Sequence, residues 1–110
     1  KGSLSKYSVQ EAQNAALGQA GSIFVSGTAA VACKSGVFVA ITFLEDSVFH
    51  NSGLTAEEQE KYPSDTGTGL NISDAGGSVT DSETFPKGVT IYGRWTGFRL
   101  NSGLVIAYRG

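Results

Sequence analysis

His50 is the only histidine in the chain, so a catalytic triad built on an imidazole would have to use it. Glu45 and Asp46 precede it closely and serines are abundant, which makes a Ser–His–acid triad possible by residue count. No Gly-x-Ser-x-Gly motif presents a nucleophilic serine, however. The pattern therefore favours a solvated or hydrogen-bonded histidine over a general base.

The other reactive residue types are equally sparse. Cys33 is the only cysteine, which excludes an intrachain disulfide and a cysteine-based zinc site, and its place in an alternating apolar pattern predicts a buried, inert thiol. Glu57 and Glu58 could act as the two carboxylates of a glycoside hydrolase, but they also complete a helix capping box that begins at Thr55. We therefore expect a non-enzymatic protein with no catalytic residues, no cofactor and no metal site.

The charges are strongly segregated along the chain. Residues 45–83 contain nine acidic residues against Lys61, a formal charge of −8, whereas residues 84–110 contain four basic residues and no acid. The basic residues do not cluster, so nucleic-acid binding is not expected, and no apolar run is long enough to span a membrane as a helix. Complementary acidic and basic regions favour docking onto a protein partner or onto copies of the same chain.

Two short helices are predicted to lie outside the strands. Ser8 and Glu11 fit a capping box and Gly18 fits a helix stop, so residues 1–21 are expected to form an arm or a short helix. A second helix is predicted from Thr55 to the residue before Pro63, followed by a long polar loop that extends to residue 78.

The remaining chain alternates as β-strands do. Residues 22–34 and 37–44 predict a hairpin, and residues 89–96, 98–100 and 104–109 predict a terminal hairpin. The expected fold is mainly β, an antiparallel sandwich or small open barrel of about five to seven strands. It forms a single domain over residues 22–110, with an acidic loop insertion at 45–83.

Alternation in the last third separates core residues from display residues. Ile91 and Trp95 share the predicted core face, and the opposite face carries Tyr92 and Arg94. Tyr and Arg are the residue types that anchor protein interfaces, so the candidate partner-binding residues are Tyr92, Arg94, Arg99 and Tyr108. The alternative is a carbohydrate-binding module in which Tyr92, Arg94 or Trp95 stacks on a sugar ring.

The run Phe85-Pro-Lys-Gly-Val-Thr-Ile-Tyr-Gly-Arg-Trp95 is the longest of several segments that share a family resemblance. The others are residues 79–81, 100, 102–103, 105–108 and 41–49, and together the segments comprise 30 of the 110 residues. These segments resemble small virion proteins of tailed bacteriophages, especially head decoration or cement proteins.

The resemblance implies a structural role on a virion that is assembled in the host cytoplasm. Its expected partners are the major capsid protein and further copies of itself, most often in a homotrimer that bridges neighbouring capsid subunits. The resemblance assigns no function to any individual residue. A tail or fibre component of a virion is a close variant of the same interpretation.

Overall fold

The computed structural model describes residues 20–51, 53–59, 61–65 and 78–110. Within these ranges nine strands form two antiparallel sheets. The strands are β1 (Ser22–Val25), β2 (Val31–Ala32), β3 (Phe38–Phe43), β4 (Ser47–Phe49), β5 (Thr55–Ala56), β6 (Thr84–Phe85), β7 (Thr90–Phe98), β8 (Leu100–Ser102) and β9 (Val105–Arg109). The larger sheet is a curled half-barrel in the order β1-β9-β3-β7-β2, with β5 also paired to β7. The smaller sheet has the order β6-β4-β8. The predicted antiparallel β architecture is confirmed, with more and shorter strands than expected.

The central strand of the larger sheet is β3, and its β-branched and aromatic sequence suits that position. Its Ala40 pairs with Tyr92 on β7 and with Tyr108 on β9, so β3 lies between the two strands. The predicted terminal hairpin is therefore wrong, because β7 and β9 are not neighbours. The chain leaves β7, passes through β8 in the smaller sheet, and returns to the larger sheet as β9.

The predicted strand over residues 22–34 is divided into two strands, and the hairpin it was to form with residues 37–44 is absent. β1 pairs with β9, whereas β2 pairs with β7. Gly97 of β7 pairs with both Ala32 and Thr55, and Trp95 pairs with both Phe38 and Ala56. A strand has only two edges, so β2 and β3 share one edge of β7 and β5 takes the other. β2 thus continues the line of β3, and residues 33–37 connect the two strands.

Phenylalanine rings connect the two sheets. Phe49 of β4 makes edge-on contacts with Phe43 and Phe98 of the larger sheet, with ring centroids 5.8 and 6.2 Å apart. Phe85 of β6 stacks on Phe43 at 4.9 Å. Aromatic pairs of this geometry stabilise beyond the area they bury, so the cluster fixes how the smaller sheet lies on the larger one.

The acidic middle of the chain contributes to this core. Thr55 and Ala56 form β5 against β7, so the helix predicted from Thr55 is wrong. Among the described residues a turn follows β5, and it is closed by a hydrogen bond from the Tyr62 N–H to the Glu58 carbonyl. Leu54, directly before β5, is fully buried. The pairing partner on β7 overrides the local capping signal.

The predicted N-terminal arm or helix lies outside the described residues, as does most of the predicted loop at 63–78. Among the described residues, no helix has the length and apolar character needed to cross a membrane.

Candidate protein-binding face

The side of the larger sheet that faces away from the core carries two rows of paired residues, which we call the outer face. Cross-strand partners project to the same side of a sheet, so the registers assign the rows directly. The first row is Ser22, Tyr108, Ala40 and Tyr92, and the second row is Phe24, Ile106, Thr42 and Thr90.

The opposite side of the sheet faces the core. Ile41 and Ala107 are paired with each other and both are fully buried, as is Val105. Because residues alternate between the two sides of a strand, the neighbours of Ile41 and Ala107 project outward. This agrees with the partial exposure of Ile106 and Tyr108 and with the high exposure of Tyr92.

The outer face is aromatic and carries no charge. Tyr92 is 77% exposed and Phe24 is 59% exposed, the two highest values among the large hydrophobic residues that the structure describes. Thr42 and Thr90 bond to each other through their hydroxyls at 2.8 Å, which reduces their demand for water. The solvated face of an antiparallel sheet normally carries polar and charged residues. The uncharged, aromatic composition of the outer face is instead typical of a surface that binds another protein.

Arg94 lies beside the outer face and is held by an ion pair. Its Nε donates to Oε1 of Glu57 at 2.7 Å, and its Nη2 donates to Oε2 at 3.3 Å. The hydrogen bond from Arg94 lowers the pKa of Glu57, and the same bond raises the pKa of Arg94. The acidic middle and basic end of the chain therefore meet within one molecule at this point, and Arg94 borders the face with its charge already neutralised.

The structure does not bring Arg99 to the outer face. Its Nε donates to the Thr28 carbonyl at 2.8 Å, and its side chain lines a separate groove of about 410 Å³ over Gly97. The irregular pairing of β7 near Gly97 places both Trp95 and Phe98 in the core, which shifts the alternation before Arg99 is reached. Of the four predicted interface residues, Tyr92 and Tyr108 share the face, Arg94 borders it and Arg99 is elsewhere.

Trp95 is fully buried and donates its indole N–H to the Pro63 carbonyl at 2.8 Å. Its predicted core position is confirmed, and a sugar-stacking role for it is excluded because no ring face is exposed. Phe24 is the residue of the face that sequence reasoning missed. The signal was present, since Phe24 was the one large apolar residue at the even positions of its strand.

His50 and Cys33, two of the residues first considered for catalysis, form hydrogen bonds to nearby backbone carbonyls. A ring nitrogen of His50 bonds to the backbone carbonyl of Asn51, as the hydrogen-bonded interpretation predicted. Cys33 is half-buried rather than buried, and its thiol donates to the Ser35 carbonyl at 3.4 Å. Within the described ranges, no three His, Cys, Asp or Glu side chains are grouped closely enough to hold a metal ion.

No protein-family model, no curated protein and no solved structure matches this chain.

Proposed function

We propose that this protein is a non-enzymatic decoration, or cement, protein of a bacteriophage head. It binds the major capsid protein through the outer face and reinforces the shell by bridging capsid subunits. The observation that carries the proposal is the uncharged aromatic surface formed by Phe24, Tyr92 and Tyr108 on a sheet whose other side carries the buried core.

The geometry of that surface suits a rigid protein–protein contact. Tyr92 and Tyr108 flank the small Ala40 on strands two apart, which places their Cα atoms about 10 Å from each other. Tyrosine gives a large contact area with few rotatable bonds, so little side-chain entropy is lost on binding. The strands beneath are anchored by a continuous core, which keeps the face in one shape before it meets its partner.

The proposed role includes self-association. A decoration protein commonly acts as a homotrimer, and closed rotational symmetry would let each copy present its outer face to the shell in the same orientation. The resemblance of residues 79–108 and 41–49 to virion proteins motivates the capsid as the partner.

Binding to capsids that lack their decoration protein tests the proposal. Purified protein is added to such capsids, the bound copies are counted by quantitative gel analysis, and the free protein is sized by light scattering. Tyr92→Lys is expected to reduce the bound copies at least about tenfold, because a buried unpaired charge is costly at an interface. Asn101→Lys is the matched control, since it adds the same charge at an exposed position of β8.

If the Tyr92→Lys and Asn101→Lys variants bind capsids in equal copy number, the outer face is not the capsid-binding surface. A protein that never binds capsids, or that is present in only a few copies per virion, would remove the decoration role and leave a tail or fibre component.

A carbohydrate-binding module is the second candidate, favoured by the exposed ring of Tyr92 beside Arg94. Because Glu57 already occupies the guanidinium, sugar binding would depend on Tyr92 alone. Specific signals on a glycan array that disappear in Tyr92→Ala would support this candidate over the capsid.

A further inference from the structure

β1 forms one end of the larger sheet, and its backbone shows which groups point away from that sheet. The Arg109 N–H donates to the Gly21 carbonyl at 2.8 Å, which makes these two residues a hydrogen-bonded pair in the β1–β9 ladder. Hydrogen-bonded pairs alternate along an antiparallel ladder, so Ile23 and Val25 also bond toward β9. The N–H and C=O groups of Ser22 and Phe24 therefore point outward.

A second ladder confirms this alternation. The Leu44 N–H donates to the Leu104 carbonyl, which assigns Ile106 and Tyr108 as the residues of β9 that bond to β3. The residues of β9 that bond to β1 are then Ala107 and Arg109, as the first ladder requires. Among the described residues, no strand pairs with the outward edge of β1.

The four residues of β1 carry none of the usual sequence features that protect an edge strand against strand addition. Natural edge strands are kept short or carry charges or prolines. The other end of the sheet follows that pattern, since β5 has only two residues and is followed by the Glu57–Arg94 ion pair. β1 has four residues, all uncharged and none of them proline, with Phe24 exposed on one side and Ile23 40% exposed on the other.

A groove of about 370 Å³ lies along β1 on the core side of the sheet. Its lining includes Ile23, Phe38, Lys34 and Arg109, with no acidic residue. Neither Lys34 nor Arg109 forms an ion pair with any residue that the structure describes. The groove therefore combines an apolar wall with two cationic side chains.

We propose that β1 binds an extended strand of a partner protein that carries an apolar residue and, two positions away, an acidic residue. The strand pairs with the outward groups of Ser22 and Phe24. Its apolar residue lies opposite Ile23, and its carboxylate lies opposite Gly21. Because Gly21 has no side chain, the carboxylate reaches the guanidinium of Arg109, whose Nε lies 4.0 Å from the place of a Cβ on Gly21. The Nε already donates to the Ala20 carbonyl and Nη1 to the Ser35 carbonyl, so the carboxylate accepts from the remaining N–H groups on Nη1 and Nη2.

The charges favour a partner strand over a second copy of β1. Antiparallel self-pairing of Ser22–Val25 would bring no carboxylate to Lys34 or Arg109, because the segment contains no acid. The inference deepens the proposed function and rests on it for the source of the strand, a capsid subunit. The edge itself follows from the register alone.

The probe is an acetylated, amidated heptapeptide with the sequence Thr-Glu-Thr-Ile-Thr-Glu-Thr. A glutamate stands two residues from the isoleucine on both sides, so one of them faces Gly21 in either strand direction. Titration at millimolar peptide, followed by amide NMR, is expected to shift Ser22 and Phe24 most strongly. The peptide with both glutamates replaced by lysine is expected to bind about tenfold more weakly, as charge-assisted contacts predict.

Phe24→Pro removes the outward N–H and keeps the bonds to β9, because Ile23 and Val25 supply those. Phe24→Thr is the matched control, since it also removes the ring and retains the N–H. Phe24→Pro is expected to abolish peptide binding, and Phe24→Thr to retain it. Ile23→Pro checks the assignment of the edge, because it breaks a β9 bond and should lower the Tm well below that of Phe24→Pro.

Equal binding by Phe24→Pro and Phe24→Thr would overturn the proposal, as would shifts confined to other residues or none at all. A dimer that Phe24→Pro disrupts, without peptide binding in the parent, would overturn it in favour of self-pairing. The two proposals fail separately. If the protein binds the peptide but not capsids, the decoration role is contradicted and strand binding by β1 stands. If Phe24→Pro still binds capsids, strand binding by β1 to the capsid is contradicted and the decoration role stands.

Discussion

The indole Nε1 of Trp95 donates a 2.8 Å hydrogen bond to the backbone carbonyl of Pro63. The bond fastens the segment after β5 to the centre of the longest strand, and the indole ring lies over Gly93, where a Cβ would approach it to 2.8 Å. A tryptophan is needed here because it fills the core and also supplies a polar group at its far end.

Trp95→Phe should therefore lower the free energy of unfolding by about 2 kcal/mol. The change removes the only donor that Trp95 offers to Pro63 and leaves unfilled volume in the core. Urea denaturation followed by circular dichroism measures the change. Tyr92→Phe on the same strand is the control and should remain within about 0.5 kcal/mol, because its side chain is exposed. A Trp95→Phe protein as stable as the parent would show that the bond to Pro63 contributes nothing.

Gly103 and Gly88 allow the destabilising effect of a side-chain clash to be separated from that of backbone strain. Both have positive φ, 108° and 89°, but a Cβ at Gly103 would fall 2.1 Å from the Ser47 hydroxyl oxygen, whereas one at Gly88 meets open space. Gly88→Ala should cost about 1 kcal/mol from the backbone conformation alone. Gly103→Ala adds the clash with buried Ser47 and should cost several-fold more, or prevent folding. Thermal unfolding of the two variants compares them, and similar Tm values would contradict the close packing.

Phe49 is buried and Phe24 is exposed, so replacing each of them by alanine should affect stability differently. Phe49 is fully buried among Phe43, Phe85 and Phe98, so Phe49→Ala should destabilise the protein by about 3–5 kcal/mol. Phe24→Ala should change stability by less than about 0.5 kcal/mol. Chemical denaturation gives both values, and a large loss for Phe24→Ala would mean that its ring packs against the protein.

The Glu57–Arg94 pair should contribute a pH-dependent part of the stability. The hydrogen bond from Arg94 lowers the pKa of the folded Glu57 below its ordinary value. The contribution is therefore complete above the unfolded pKa of this carboxyl and is lost as the pH falls through the lower folded pKa. Carboxyl NMR titration should show the pKa of Glu57 rising in Arg94→Gln. Arg99→Gln, which removes an arginine that does not contact Glu57, should leave it unchanged.

Sequence alternation was sufficient to divide residues 91–95 correctly. Ile91 and Trp95 pack inward and Tyr92 projects outward, even though the β3–β7 register shifts between the Ala40–Tyr92 and Phe38–Trp95 pairs. The same rule fails for Arg99, since the irregular pairing near Gly97 shifts the alternation, and nothing in the local residue types marks that shift.

Long-range pairing was the other part that the sequence could not supply. Thr55 satisfies a capping box as well as it satisfies a strand, and only its contact with Gly97 decides between them. Arg94 and Glu57 have opposite charges in the sequence. Charge alone cannot show whether they pair within one molecule or between two copies of the chain. The insertion of β3 between β7 and β9 is likewise a property of the whole fold.

That insertion has a consequence for how the protein folds. Both neighbours of β3 come from residues 90–109, so its N–H and C=O groups have no sheet partners until this last stretch of chain is available. Loop closure over such separations is costly and slows folding, and we expect refolding in milliseconds to seconds, measurable by stopped-flow tryptophan fluorescence. On the ribosome, the large sheet would assemble only after synthesis of β9, in one cooperative step.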